Sequence, residues 1–270
     1  MLKQRIITAI ILIPLILGVL FYLPPAAFCI LTGMIALGGA WEWATLSGID
    51  SRNGHLMYVA VMLFIFAGLL FIPVPLLLMG SFVWWVIAVL LVLLYPKASA
   101  FWGRGLYLRS LMGILTLSSC WVSINYLRNM DGGMYLLLYL FVLIWGADIT
   151  AYFVGKKWGS TKLAPQLSPG KSWQGFAGAM VFTAIAAFAF LYTDNSPSNL
   201  WGWVIGWSYV TVLFSIMGDL FESMMKRHAN MKDSGRLLPG HGGLLDRIDS
   251  LTAAAPVFAL GIFLLWAFTA

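Results

Sequence analysis

The chain has 270 residues, of which 61% are hydrophobic and only 10% charged, and it carries a formal net charge of +6. A composition this apolar describes a protein whose solvent is lipid, which excludes the one or two soluble domains that length alone would suggest. The positive charge comes without a basic arm, a zinc-ligand spacing or an aromatic-basic ribonucleoprotein pattern, so nucleic acid is excluded as a partner.

Taken in order, the chain opens with Lys3 and Arg5 ahead of an apolar run from Ile6 to Leu23. That outline mimics a secretory signal, but the run is long enough to span a bilayer and lacks an A-x-A site. Phe28 before Cys29 also spoils a lipoprotein site. It reads as a retained first span. The apolar runs together predict an all-α polytopic bundle of about nine spans, at 6–23, 25–46, 56–72, 75–95, 107–126, 134–154, 175–193, 202–221 and 251–269. Each is near the roughly 20 residues a helix needs to cross the hydrocarbon core. The whole chain is one integral membrane domain, with N-terminal spans over 1–130 and a second half over 134–270 bearing polar loops at 155–174 and 222–250. Pro24-Pro25 and Pro73 to Pro75 mark tight turns between neighbouring spans. Cys29 and Cys120 lie in apolar runs, where a free thiol behaves as a small hydrophobe. Trp41, Trp43, Trp84, Trp85, Trp201 and Trp203 lie near span ends and read as interfacial anchors.

Threading the chain with the N-terminus inside gathers Arg52, Lys97, Arg104, Arg109, Lys156, Lys157, Lys162, Lys171, Lys226, Arg227, Lys232, Arg236 and Arg247 on the same side as Lys3 and Arg5. Only Arg128 is left outside. One span more or fewer would invert every later loop and destroy this asymmetry, so the positive-inside rule supports a cytoplasmic N-terminus and an exterior C-terminus.

Carboxylates within or at the ends of spans stand out. Asp148 lies inside span six, where insertion of a carboxylate costs about 2.5–3.5 kcal/mol. It is either a functional group or a packing residue, protonated or hydrogen-bonded to Tyr152. Asp219 and Glu222, three apart at the end of span eight, share a helix face. Glu42, near the inner end of span two, divides evenly between a snorkelling or paired side chain and something more. The connector Gly155 to Gly175 contains Gly170-Lys171-Ser172, but Pro165 occupies the upstream glycine position of a Walker A loop and no βα unit surrounds it. What remains is a basic connector whose Lys156, Lys162, Lys171, Ser168 and Ser172 offer donors suited to phosphate.

The longest polar stretch, Ser223 to Asp249, holds five of the sixteen Lys and Arg, three of the ten carboxylates and two of the three His. Ser223, Lys226, Arg227, Lys232, Asp233, Gly235, Pro239, His241, Gly242, Gly243, Asp246, Arg247 and Asp249 form a pattern that a mere spacer does not need. This pattern resembles the signature of the phosphatidate cytidylyltransferases, or CDP-diglyceride synthases. Segments similar to G-A-D-I-T-A-Y and S-P-G-K-S-W in the preceding connector also recur in that family. The resemblance is densest from Ile144 to Asp249; spans one to five match only as a hydropathy pattern.

The resemblance implies transfer of CMP from CTP to phosphatidate, giving CDP-diacylglycerol and pyrophosphate in phospholipid biosynthesis. It implies Mg²⁺ held by Asp219 and Asp246, with a second cation as an open question, and Lys171 as a further catalytic residue. Lys226, Arg227 and Arg247 would neutralise phosphates alongside Lys171, and His241 would bond a phosphate or the leaving pyrophosphate. Asp249 would orient Arg247 or a metal-bound water, while Asp148, Ser168, Ser172, Lys232 and Asp233 complete the substrate-binding set. A phosphate nucleophile is already ionised near neutral pH, so no general base is assigned. The expected partners are CTP, phosphatidate and membrane lipid, with a homodimer as a family expectation. The expected location is a bacterial-type inner (plasma) membrane with the site facing the cytoplasm. A cytidylyltransferase or kinase for another lipid, a transporter of phosphorylated substrates and a non-catalytic scaffold remain as alternatives. A CDP-alcohol phosphotransferase is disfavoured, because its D-G-x-x-A-R opening is absent after Asp131-Gly132.

Overall fold

A computed structural model describes residues 14–97, 99–193, 197–235 and 242–269. Residues 14–22 are helical (α1). There follow α2 (Pro25–Ser47), α3 (Arg52–Leu69), α4 (Val74–Leu93), a short α5 (Ser99–Trp102), α6 (Leu106–Asn129) and α7 (Gly133–Trp158). Strands β1 (Lys162–Ala164) and β2 (Ser168–Ser172) lead into α8 (Trp173–Thr193), α9 (Trp201–His228) and α10 (Leu245–Thr269). Among the described residues, eight helices are long and apolar enough to cross a membrane, and they coincide with the second to ninth predicted spans. The chain is a multi-pass membrane protein. Much of the first predicted span, together with Lys3, Arg5, Arg236, Pro239, Gly240 and His241, lies outside the described residues.

The helices reach further than hydropathy alone indicates. α7 runs on to Trp158, α9 to His228, and α10 begins at Leu245, so much of the presumed loop sequence is helical. Lys226 sits one turn after Glu222, an i,i+4 pair that favours helix, and Lys226, Arg227 and His228 fill the last turn of α9, where cations meet the negative end of the helix dipole. The connector before α8 is likewise more ordered than a basic loop. β1 and β2 form an antiparallel hairpin that pairs Lys162 with Ser172 and Ala164 with Ser168. Gln174 ties its base by accepting from the amides of Ser160 and Thr161.

α10 is the axis of the bundle, packing on α9, α6, α4, α7 and α2. Its Ala253, Ala254, Ala255 and Ala259 are fully buried, and such small side chains let neighbouring backbones approach closely. The approach is close at Gly218 on α9, where a Cβ would lie 2.6 Å from the carbonyl oxygen of Asp249 and 2.9 Å from the Ala253 Cβ. This contact sets the depth at which the polar ends of α9 and α10 face one another.

The interfacial reading is corrected for three of the six tryptophans. Trp43, Trp84 and Trp85 are buried, and all three pack around Phe221 of α9 with ring centroids 5.7–6.0 Å away. Their indole N–H groups find acceptors inside the bundle, on Arg109 O, Thr116 Oγ1 and Ser119 Oγ respectively. With the polar handle satisfied, the large ring is better placed in the core than at the interface. Cys29 and Cys120 are free thiols, as expected.

Candidate active site

The ends of α7, α9 and α10 and the β1–β2 hairpin converge at one end of the bundle. Antiparallel alternation brings the C-terminus of α2 and the N-terminus of α6 to the same end, and His228 on α9 meets the Gly103 carbonyl there at 2.8 Å. Asp219, Glu222 and Lys226 follow at helical spacing along the face of α9 that Gly218 presses against α10. Lys226 Nζ lies 2.6 Å from Asp246 Oδ1 and 3.3 Å from Glu222 Oε1, with the three side chains 9%, 10% and 3% exposed. Asp246 is held on its other oxygen as well, where Oδ2 accepts the amides of Gly243 at 2.8 Å and Ser234 at 3.1 Å. Its orientation is therefore determined from two sides.

The hairpin delivers Lys171. Its ammonium lies 2.8 Å from Asp219 Oδ2 and 3.4 Å from the Ile216 carbonyl. Asp148, on α7, accepts a hydrogen bond from Ser250 Oγ at 3.4 Å and feels the charges of Lys171 and Asp219. It does not bond Tyr152, whose ring meets Phe153 instead. Asp249 accepts the Ser250 amide at 2.7 Å and interacts electrostatically with Asp219 and Glu222. Five carboxylates and two lysines, drawn from α7, β2, α9 and α10, thus form one connected cluster.

The remaining sequence candidates are more dispersed. Arg227 joins α9 to the hairpin by donating from Nε to the Leu167 carbonyl, and reaches the Met231 carbonyl through Nη1. Ser172 is buried, and its hydroxyl accepts the Gly175 amide at 3.1 Å, so it caps the start of α8. Ser168 opens β2, while Lys232, Asp233 and Arg247 are exposed near the α9–α10 connection. His241 lies outside the described residues.

Three contributors went unassigned in the sequence. Glu222 was visible as a face-mate of Asp219 without a role. Ser250 carried no signal, because its partner stands on another helix. Glu42 is buried at 2% exposure and accepts from Leu244 N, Leu245 N and Ser234 Oγ, so it neither snorkels nor forms an ion pair among the described residues.

The donor set is all oxygen. Among the described residues no three His, Cys, Asp or Glu stand in a ready-made coordination cluster. Both Glu222 oxygens, however, are buried, with only the Lys226 ammonium and the Asp249 carboxyl beside them. Unsatisfied carboxylate oxygens beside Asp249 and Asp246 fit a hard divalent cation, which takes one or two carboxylates and completes its shell with waters and phosphates.

A family model described as the cytidylyltransferase family matches residues 3–265. The chain belongs to the cytidylyltransferase family. It is 46% identical over 269 residues to a phosphatidate cytidylyltransferase of Pseudomonas aeruginosa, covering 99% of this chain and 98% of that one. It is 40% identical to a phosphatidate cytidylyltransferase of Haemophilus influenzae, covering 97% and 99%, and 35% identical to one of Brucella abortus, covering 96% and 92%. The cytidylyltransferase match thus takes in the N-terminal helices as well as the polar cluster.

Proposed function

We propose that the chain is a Mg²⁺-dependent phosphatidate cytidylyltransferase, with its reactive site in the cluster of Asp219, Asp246, Asp249, Glu222, Lys171 and Lys226. The observation that carries this reading is that juxtaposition of carboxylates and lysines at one end of a membrane bundle, in a chain of this family. The reaction joins two phosphates and needs little covalent help from a protein. A phosphate oxygen of phosphatidate attacks the α-phosphorus of CTP, the new P–O bond forms, and the bond to the bridging oxygen of the β-phosphate breaks. Pyrophosphate leaves with that electron pair.

The protein's part is to position like-charged reactants and offset their charge. Asp219 and Asp246 are the residues that would hold Mg²⁺, with Glu222 and Asp249 as further carboxylates of the same cluster. Bound there, the cation would neutralise developing charge on the nucleotide phosphates. Lys171, at the mouth of the cluster, takes the remaining phosphate charge together with Arg227 and Arg247. Lys226 acts first on Asp246, holding the carboxylate in place. Asp148, Ser168, Ser172, Lys232, Asp233 and His241 complete the proposed surroundings of the substrates. The site faces the cytoplasmic side of an inner membrane, which is where CTP is found and where phosphatidate is reached laterally within the leaflet. Support for that orientation is that Arg128 is the one basic residue at the opposite end among the described residues.

The test is pyrophosphate release by purified protein from CTP with phosphatidate, with and without Mg²⁺, beside Asp246→Asn. Release that requires all three components and collapses in the variant supports the proposal. A folded protein that releases none with any nucleotide refutes it.

A further inference from the structure

Glu42 belongs to the half of the chain to which no site residue has been assigned, yet its carboxylate lies at the foot of the reactive cluster. Oε1 accepts the amide of Leu244 at 2.9 Å, and Oε2 accepts the amide of Leu245 at 2.9 Å and the hydroxyl of Ser234 at 3.0 Å. Those amides open α10, where the first N–H groups have no acceptor within the helix. A carboxylate there is also favoured by the helix dipole. Glu42 is thus an N-terminal cap supplied from α2, two hundred residues away in sequence.

The same atoms reach Asp246. Ser234 gives its hydroxyl to Glu42 and its amide to Asp246 Oδ2, and Gly243, whose amide bonds the same Asp246 oxygen, lies against Glu42. A Cβ at Gly243 would come within 2.6 Å of Glu42 Oε2, so only glycine lets both carboxylates close on this turn. Glu42 and Asp246 therefore share the same two pieces of chain, Ser234 and Gly243 to Leu245, and Lys226 takes the remaining Asp246 oxygen.

We propose that Glu42 is a positioning residue, clamping Ser234 and the start of α10 so that Asp246 keeps the orientation in which it serves the reaction. This deepens the proposed function and rests on it, since Asp246 is read as part of the reactive site. Three donors converge on Glu42 and it gives none back. Glutamine matches its volume but turns an NH₂ donor toward N–H donors, whereas aspartate loses a methylene and keeps the acceptors. Packing alone would therefore favour Gln over Asp, and clamping favours Asp over Gln.

The test uses the full chain in detergent, comparing Glu42→Gln, Glu42→Asp and Ser234→Ala by hydrogen exchange and steady-state kinetics. In Glu42→Gln, exchange at Leu244 and Leu245 should rise about tenfold or more while α7 and α8 stay protected. Its kcat should fall on the order of 100-fold, as for a misplaced reacting group, with KM for CTP within about threefold of wild type. Glu42→Asp should keep more activity than Glu42→Gln. Ser234→Ala, which leaves Glu42 in place, should fall between Glu42→Gln and wild type and decides the matter if Glu42→Gln does not fold. Unchanged exchange, or Asp worse than Gln, overturns the clamp. Faster exchange with wild-type kcat overturns the positioning role. A wild-type chain that transfers no CMP refutes the proposed function instead, and the exchange arm still decides the clamp.

Discussion

Replacing Lys226 with methionine keeps the length of the side chain and removes its charge. The structure indicates how the cost divides. Asp246 retains two backbone N–H donors, from Gly243 and Ser234, whereas Glu222, 3% exposed, is left with only the neighbouring Asp249 carboxyl. Most of the penalty therefore falls on Glu222, as a buried carboxyl left beside Asp249 without its cation. Removing one partner of a buried pair costs about 3–5 kcal/mol, and for a chain of this size that lowers the melting temperature by roughly 6–20 °C. Adding Glu222→Gln removes the orphaned charge, and the double variant should regain about 1–3 kcal/mol, the coupling expected of contacting groups. The assay is thermal unfolding in one detergent for wild type, both single variants and the double. A Lys226→Met protein melting within about 2 °C of wild type, which corresponds to less than about 1 kcal/mol, would refute this accounting of the pair. So would a double variant no more stable than Lys226→Met.

Gly218→Ala forces a methyl group against the Asp249 carbonyl and should cost about 1–3 kcal/mol as overpacking, with a loss of pyrophosphate release because α9 and α10 are pushed apart at the site. Phe221→Ala empties the space between Trp43, Trp84 and Trp85 and should cost about 3–5 kcal/mol, while Phe221→Leu costs visibly less in the same melting assay. Ser172→Ala removes the cap of α8 and should cost about 1 kcal/mol, and Ser172→Asp, which can still accept the Gly175 amide, should melt close to wild type.

The spans were legible because a bilayer demands a long apolar run from each, and that demand is local in sequence. The cluster was legible in part for a related reason. Asp148, Asp219, Asp246, Asp249 and Lys171 are charged groups in or beside apolar runs, where each carries a cost that calls for an explanation. What escaped reading depends on contacts between helices. Glu42 looks like one of many carboxylates near a span end until Leu244 and Leu245 stand beside it. Trp84 and Trp85 look like interface anchors until Thr116 and Ser119 of α6 satisfy their indoles. The extension of α9 to His228 escaped because hydropathy falls where Lys226 and Arg227 begin, although helix propensity and pairing with Glu222 continue. The capping role of Ser172, whose hydroxyl accepts the Gly175 amide, escaped because only the fold places that amide against it.

The most direct test of the central claim follows the label of CTP. Purified protein in phosphatidate-containing liposomes is given Mg²⁺ with CTP carrying ³²P on the α-phosphate or, in a parallel reaction, on the γ-phosphate. The account predicts that the α-label enters the lipid and the γ-label appears in pyrophosphate, with both lost in Asp246→Asn. Entry of the γ-label into lipid would mark a kinase, and absence of either label from lipid and pyrophosphate, with folded protein, would contradict the transferase assignment.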